Sequence, residues 1–226
     1  MVVIKLKNMT ITWYGQSCFQ ISTTPEKNNS VSIIIDPFEE SFGLKLPRKF
    51  EADVLLVTHE HSDHNNIKKV SGSPFIINGP GEYEIKKTYL QGIPAFHDNS
   101  QGKERGNLTI YTIEAEEIKI CHLGDLGQKE LTTEQLDKIG EVDILMVPIG
   151  GIYTIDAKEA IKVMAQIEPK VIIPMHYRIP NLKIKLDGLD KFLRALGIKS
   201  LEPLPKLFIK KKDILSEEAK IIVLQP

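Results

Sequence analysis

The chain has 226 residues, a length that suits one large domain or two small ones and by size scaling would bury about 70% of its unfolded surface, so disulfides are not needed for folding. Its 29 Lys and Arg balance 30 Asp and Glu to a formal charge of −1, which gives no general field for gripping nucleic acid or acidic lipid; any such binding would have to be local. The two cysteines, Cys18 and Cys121, are too few and too far apart for a disulfide framework or a cysteine zinc knuckle, and both read as reduced core residues.

In chain order, the opening Met1-Val-Val-Ile-Lys-Leu-Lys runs straight into strand-like sequence, without the parts of a signal peptide, so a cytoplasmic location is expected. Residues 9–21, 31–35 and 53–58 are β-branched or apolar runs, and residues 25–30 read as the turn between the first two. Gly79-Pro-Gly-Glu-Tyr83 reads as a turn, and only weakly as a phosphate cradle because no Lys-Ser/Thr follows it. From about residue 115 strands and helices alternate: strand 118–123, helix 133–139, strand 143–147, helix 157–167, strand 171–175. Thr132 with Gln135 and Asp156 with Glu159 have capping-box spacing, in which one side chain satisfies a free helix-end amide and the other reaches back. Leu189, Phe192, Leu193 and Leu196 form the apolar stripe of a further helix, with Asp187 as its expected cap and Gly197 as its stop. Strands over 206–211 and 220–224 close the chain, and Lys210 to Lys212 read as a solvated edge. The longest apolar stretch, residues 144–152, is broken by Pro148 and two glycines and falls far below the ~18 residues of a membrane span. No linker, repeat or low-complexity tract divides the sequence, so one layered α/β domain over 1–226 is expected.

His59-Glu60-His61-Ser62-Asp63-His64 directly follows the run 53–58, and a shuffled chain would show this spacing with a probability of roughly 2 in 10,000. At a strand end residues two apart point the same way, so His59 and His61 can offer imidazoles to one ion, while Asp63 and His64 begin the next turn and can face a second. Imidazole and carboxylate suit zinc, iron or manganese, and the absence of cysteine ligands favours a reactive over a structural site. His97, Asp125 and His176 each lie at or just beyond a strand end, where open α/β sheets gather ligands. His122 shares parity with Ile118 and Ile120, so it is expected to point into a packed layer and support the site from behind. For substrate contact the candidates are Arg178, which continued extension past His176 would aim at the site, Arg105 in a glycine-flanked loop after His97, and Tyr153 after Gly150-Gly151.

These segments resemble the metallo-β-lactamase superfamily, in particular its small branch similar to ascorbate-6-phosphate lactonase and related hydrolases. The resemblance is carried by Thr12-Trp-Tyr-Gly-Gln-Ser-Cys-Phe19, Ile35-Asp-Pro-Phe38, the hexapeptide, Ala95-Phe-His-Asp98, His122-Leu-Gly-Asp125, Pro148-Ile-Gly-Gly151 and Ile173-Pro-Met-His-Tyr177. It implies a four-layer αββα sandwich holding two divalent ions per chain, zinc or manganese with iron as a further candidate. His59, His61 and His97 would hold the first ion, Asp63, His64 and His176 the second, and Asp125 would bridge. Asp36 would support the ligand loop by hydrogen bonding. Relatives often carry histidine where this chain has Gln16.

The implied activity is hydrolysis by a metal-bridging hydroxide, with Asp63 and Asp125 as the catalytic carboxylates and a small, anionic lactone or ester as substrate. A phosphodiesterase or metal-dependent ribonuclease is the second enzyme reading, which the near-neutral charge disfavours, and a non-enzymatic metal-binding or assembly module is the third.

Overall fold

The computed structural model describes residues 9–26, 29–215 and 218–226; the opening heptapeptide lies outside them, and so do residues 27 and 28 of the turn expected over 25–30. Two sheets carry the fold. The first contains β1 (Met9–Gly15), β2 (Cys18–Glu26), β3 (Asn29–Ile35), β4 (Val54–Leu56), β5 (Phe75–Ile77) and β12 (Leu207–Ile209), in the order β12-β1-β2-β3-β4-β5. The second contains β6 (Gly81–Ile85), β7 (Thr88–Phe96), β8 (Asn107–Ala115), β9 (Ile118–His122), β10 (Ile144–Pro148), β11 (Val171–Met175) and β13 (Lys220–Ile221), in the order β13-β11-β10-β9-β8-β7-β6.

Side-chain alternation explains how the sheets pack. Met9, Ile11 and Trp13 of β1 point inward with Phe19, Ile33, Ile35, Val54 and Leu56, and they share one core with Ile110, Ile120, Met146 and Ile173 of the second sheet. Ile34 and Leu55, of opposite parity, face the other way into a separate cluster with Phe38, Leu46 and Phe50. On the second sheet the outer layer is helical: α1 (Thr133–Ile139) packs on β7, α2 (Ala157–Ile167) on β10, and α3 (Leu189–Ala195) against α2. On the first sheet it is made by the short 3-10 turns Glu40–Phe42 and Ile67–Lys69 and the chain around them.

Both expected capping boxes form, Thr132 with Gln135 and Asp156 with Glu159. The cap of α3 differs from expectation. Gly188 occupies the cap position without a side-chain hydrogen bond, and the Asp187 carboxylate instead takes Lys191 Nζ at 2.6 Å. The expected solvated edge at Lys210 to Lys212 is also shorter, since β12 ends at Ile209 and a 3-10 turn follows over Lys211–Ile214.

Strand directions bring the chemistry to one rim. β3 and β4 run parallel, β1 is antiparallel to β2 and β2 to β3, so the end of β1 meets the ends of β3 and β4. In the other sheet β9, β10 and β11 run parallel, and β7, two antiparallel steps from β9, points the same way. The run expected over 9–21 is in fact a hairpin whose tip, Gln16–Ser17, reaches that rim.

Candidate metal centre

Each candidate ligand follows a strand end. His59, His61, Asp63 and His64 follow β4, His97 follows β7, Asp125 follows β9, and His176 follows β11. The structure brings all seven together in two groups: His59, His61 and His97 in one, Asp63, His64, Asp125 and His176 in the other, with the donor atoms within each group no more than 4.8 Å apart. Asp125 Oδ2 lies 3.1 Å from His176 Nε2, 3.2 Å from His64 Nε2 and 3.8 Å from His97 Nε2, so a single oxygen faces both groups.

The donor set fits divalent cations. His59 Nε2, His64 Nε2 and His176 Nε2 are buried with no hydrogen-bond partner, although two of them approach the Asp125 carboxylate. For His59 and His176, a buried nitrogen left unpaired costs free energy unless something else accepts its lone pair. Burial pushes the pKa of His59, His97 and His176 down, which keeps these imidazoles neutral at pH 7, the form a cation needs. His64 differs: burial would lower it, but the flanking carboxylates of Asp125 and Asp36 hold it well above its ordinary value. Burial would likewise raise Asp125, but His176 and His64 bring it well below the carboxylate range.

Behind the ligands stands a fully buried hydrogen-bond network. Asp36 accepts from the Thr58 amide at 2.8 Å and the Thr58 hydroxyl at 2.7 Å, and pairs with His64 Nδ1 at 2.9 Å. Thr58 Oγ1 in turn lies 2.9 Å from His59 Nδ1. His122 points inward, as its parity predicts, and its tautomer follows from its partners. The Gly124 amide donates to His122 Nδ1 at 3.1 Å, so Nε2 carries the proton and donates to the Ser17 carbonyl at 2.9 Å. The ring thereby ties the hairpin tip to β9.

Ser17 is a site residue that sequence reasoning missed. Its hydroxyl donates to Asp125 Oδ1 at 2.8 Å, which leaves Oδ2 for the centre. Nothing marks an ordinary serine in a strand-like run for this role; only the hairpin tip does. Its neighbour Gln16 sits at φ 51, donates from Nε2 to Asp63 Oδ2 at 3.3 Å, and takes the His176 amide on its carbonyl at 3.1 Å.

Two glycines press directly on ligand backbones. A Cβ at Gly127 would stand 2.2 Å from the His97 carbonyl oxygen, and one at Gly150 would stand 2.2 Å from that of His176. Neither distance is tolerable, so Gly127→Ala should displace His97 and Gly150→Ala should displace His176. We expect each variant to lose roughly 10- to 100-fold in metal affinity by chelator competition, the cost typical of disturbing a ligand's support, with the fold kept by circular dichroism. Unchanged affinity in both would detach these contacts from the centre.

The substrate candidates are placed unevenly. Arg105 and Tyr153 meet, with the guanidinium carbon 5.1 Å from the ring centroid. Arg178 does not follow the course expected of it. His176 adopts φ 50, which ends the extended segment, and Arg178 pairs with Gly188 at the start of α3, its amide donating to the Asp187 carbonyl at 2.9 Å. The Gly79-Pro80 corner is a turn as expected, but β6 begins at Gly81 within the segment read as that turn.

A β-lactamase superfamily domain model matches residues 10–176, from β1 through the last candidate ligand. A UPF0173 metal-dependent hydrolase of Thermococcus onnurineus is 32% identical over 196 residues, 74% of this chain and 84% of its own. A protein of the same description from Methanopyrus kandleri is 28% identical over 222 residues, 84% of this chain and 94% of its own. Among solved structures, a Thermotoga maritima protein described as a Zn-dependent hydrolase of the metallo-β-lactamase superfamily is 37% identical, covers 96% of this chain and 98% of its own, and superposes with a TM-score of 0.76. A metallo hydrolase of Ignicoccus hospitalis, at 21% identity and a TM-score of 0.63, shares the fold. The chain belongs to the metallo-β-lactamase superfamily, among its metal-dependent hydrolases.

Proposed function

We propose that the protein is a dinuclear metal-dependent hydrolase acting on a small lactone or ester that carries an anionic group. The observation that carries this reading is the position of Asp125 Oδ2, within 3.8 Å of imidazole nitrogens from both ligand groups, where one carboxylate oxygen can serve two cations. His59, His61 and His97 would hold one ion, Asp63, His64 and His176 the other, and Asp125 both. Zinc or manganese suits this set of imidazoles and carboxylates, and iron is compatible with it. Two such ions would supply Lewis acidity toward the scissile carbonyl and bring a water's pKa to about 7, giving a nucleophile without serine or cysteine.

The chain's own residues do the rest. Asp63 is the more open carboxylate, with its side chain 17% exposed against 3% for Asp125, and Gln16 holds its Oδ2. It is placed to take the proton that the attacking water gives up and return it to the departing oxygen, so that one water and one ester yield one acid and one alcohol. Asp125, fixed through Oδ1 by Ser17, keeps its other oxygen in one orientation.

The test is a panel of sugar lactones, carboxylic esters, phosphodiesters and structured RNA, assayed on protein loaded with Zn²⁺ or Mn²⁺. Turnover of lactones or esters that disappears on chelation is expected. Preferential cleavage of RNA or phosphodiesters would overturn the substrate assignment, and two bound ions with no turnover of any class would favour a metal-binding module.

A further inference from the structure

Two loops that the hydrolytic step does not use meet at the mouth of the site. Asp98, the residue after His97, winds the following loop around its own carboxylate. Oδ1 accepts the amides of Ser100 at 2.7 Å and Gly102 at 2.9 Å, and Oδ2 accepts those of Glu104 at 3.0 Å and Arg105 at 2.8 Å. Four amides on one carboxylate fix the course of the loop from Ser100 to Arg105. The loop then returns to β8 as the Gly106 carbonyl accepts the His97 amide at 3.1 Å. Arg105 is thereby held at a fixed place next to a candidate ligand.

Its guanidinium lies over the ring of Tyr153, on the loop after β10. A cation–π contact of this kind satisfies none of the guanidinium N–H donors with an acceptor oxygen. Among the described residues none of those N–H groups meets an acceptor, and no carboxylate lies within 4.0 Å of them. Arg105 lines a cleft of about 530 Å³ whose walls also include His59, His61, Pro80, Phe96 and Asn107. That is the size of a small-molecule site, ~300–1,000 Å³, and two residues of the first ligand group line it.

We propose that Arg105, held over Tyr153, is the anion-recognition element of this protein, taking a terminal carboxylate or phosphate monoester of a small substrate whose body lies in the cleft. The assignment rests on the hydrolase reading and deepens it. A planar fork with free donors matches two oxygens of either group, which a single ammonium cannot do. Glu60 shares the cleft wall, so a polyanion threaded along it would meet a carboxylate. The cleft is therefore built for a ligand with one anionic end, not for an RNA backbone.

The experiment uses metal-free protein, so that anions cannot bind through ions, and follows binding of phenyl phosphate, benzoate and neutral benzyl alcohol by titration of the amide and side-chain resonances. Arg105→Gln should weaken the two anions by roughly 10- to 150-fold, the range of a charge-assisted hydrogen bond, and leave benzyl alcohol unchanged. Arg105→Lys should recover only part of the loss, because the charge returns without the fork. Tyr153→Leu should cost about 2- to 5-fold, the size of an exposed cation–π contact. Whichever anion loses more identifies the group recognised. Equal affinity in the wild type and Arg105→Gln, or equal losses for anions and alcohol, would overturn the assignment, as would Arg105-dependent binding of structured RNA tighter than of either anion. Failure of the hydrolase reading shows elsewhere, as loaded protein that turns over no ester or lactone, and would leave this binding result standing.

Discussion

On the dinuclear reading proposed above, Asp125→Asn should lower kcat/KM by about 10³-fold or more and reduce the metal content from the proposed two ions per chain to one or fewer. The reason lies in how the side chain is held. Ser17 donates to Oδ1, so an asparagine keeps its carbonyl oxygen there and turns its NH₂ toward His64 and His176. A donor then stands where the centre needs lone pairs, and one negative charge shared by both groups is gone. The size follows from removing one member of a unit that acts together, where single losses approach the loss of the whole. Elemental analysis after loading, with single-turnover kinetics on the best substrate of the panel, decides it. Two ions per chain with unchanged turnover would refute the shared role of this oxygen.

Asp36→Ala should destabilise the metal-free protein by about 3–5 kcal/mol, among the largest effects of any single substitution away from the apolar core. The carboxylate is wholly buried and serves the Thr58 amide, the Thr58 hydroxyl and His64 Nδ1, so its loss strands three polar groups where water cannot replace it. It also sits at φ 48, a left-handed conformation that aspartate and asparagine tolerate better than alanine. Asp36→Asn separates structure from chemistry. Its carbonyl oxygen can still accept the Thr58 amide and keep the backbone, but its NH₂ replaces the oxygen that served both the Thr58 hydroxyl and His64 Nδ1, and facing that nitrogen it forces the imidazole proton onto Nε2, the nitrogen aimed at the centre. Urea unfolding should therefore show a small loss for Asn and a large one for Ala, while metal affinity falls roughly 10- to 100-fold in both. If Asn binds metal as tightly as the wild type, the tautomer plays no part.

Several strands escaped the sequence for identifiable reasons. β8 is buried on nearly every residue and so shows no alternation by which to recognise a strand. The hairpins β6–β7 and β8–β9 turn on Lys86-Lys87 and Glu116-Glu117, all four residues at positive φ, where the usual signal is Asn-Gly or a similar pair. Two of the helices, by contrast, were legible to the residue, while the cap of α3 was not. Thr133–Ile139 and Ala157–Ile167 start and stop where their capping boxes and apolar stripes place them.

By itself the sequence determined the α/β class, the bounds of α1 and α2 and the four candidate ligands of the hexapeptide, because those features are local: capping spacing, hydrophobic period and a histidine motif at a strand end; His97, Asp125 and His176 were named through the family resemblance and their strand-end positions. Only the tertiary structure decided what holds them. Ser17, Gln16, Gly127 and Gly150 act on ligands that lie 26 to 160 positions away along the chain or across a sheet junction, through single hydrogen bonds or a bare backbone contact. The extension on which Arg178 was aimed stops at one left-handed residue, His176, and Arg105 gained its place from an aspartate seven positions earlier. Residue type and spacing report which chemistry a chain can offer. Direction depends on backbone dihedrals and on partners remote in sequence, and these are settled only when the two sheets close on their common core.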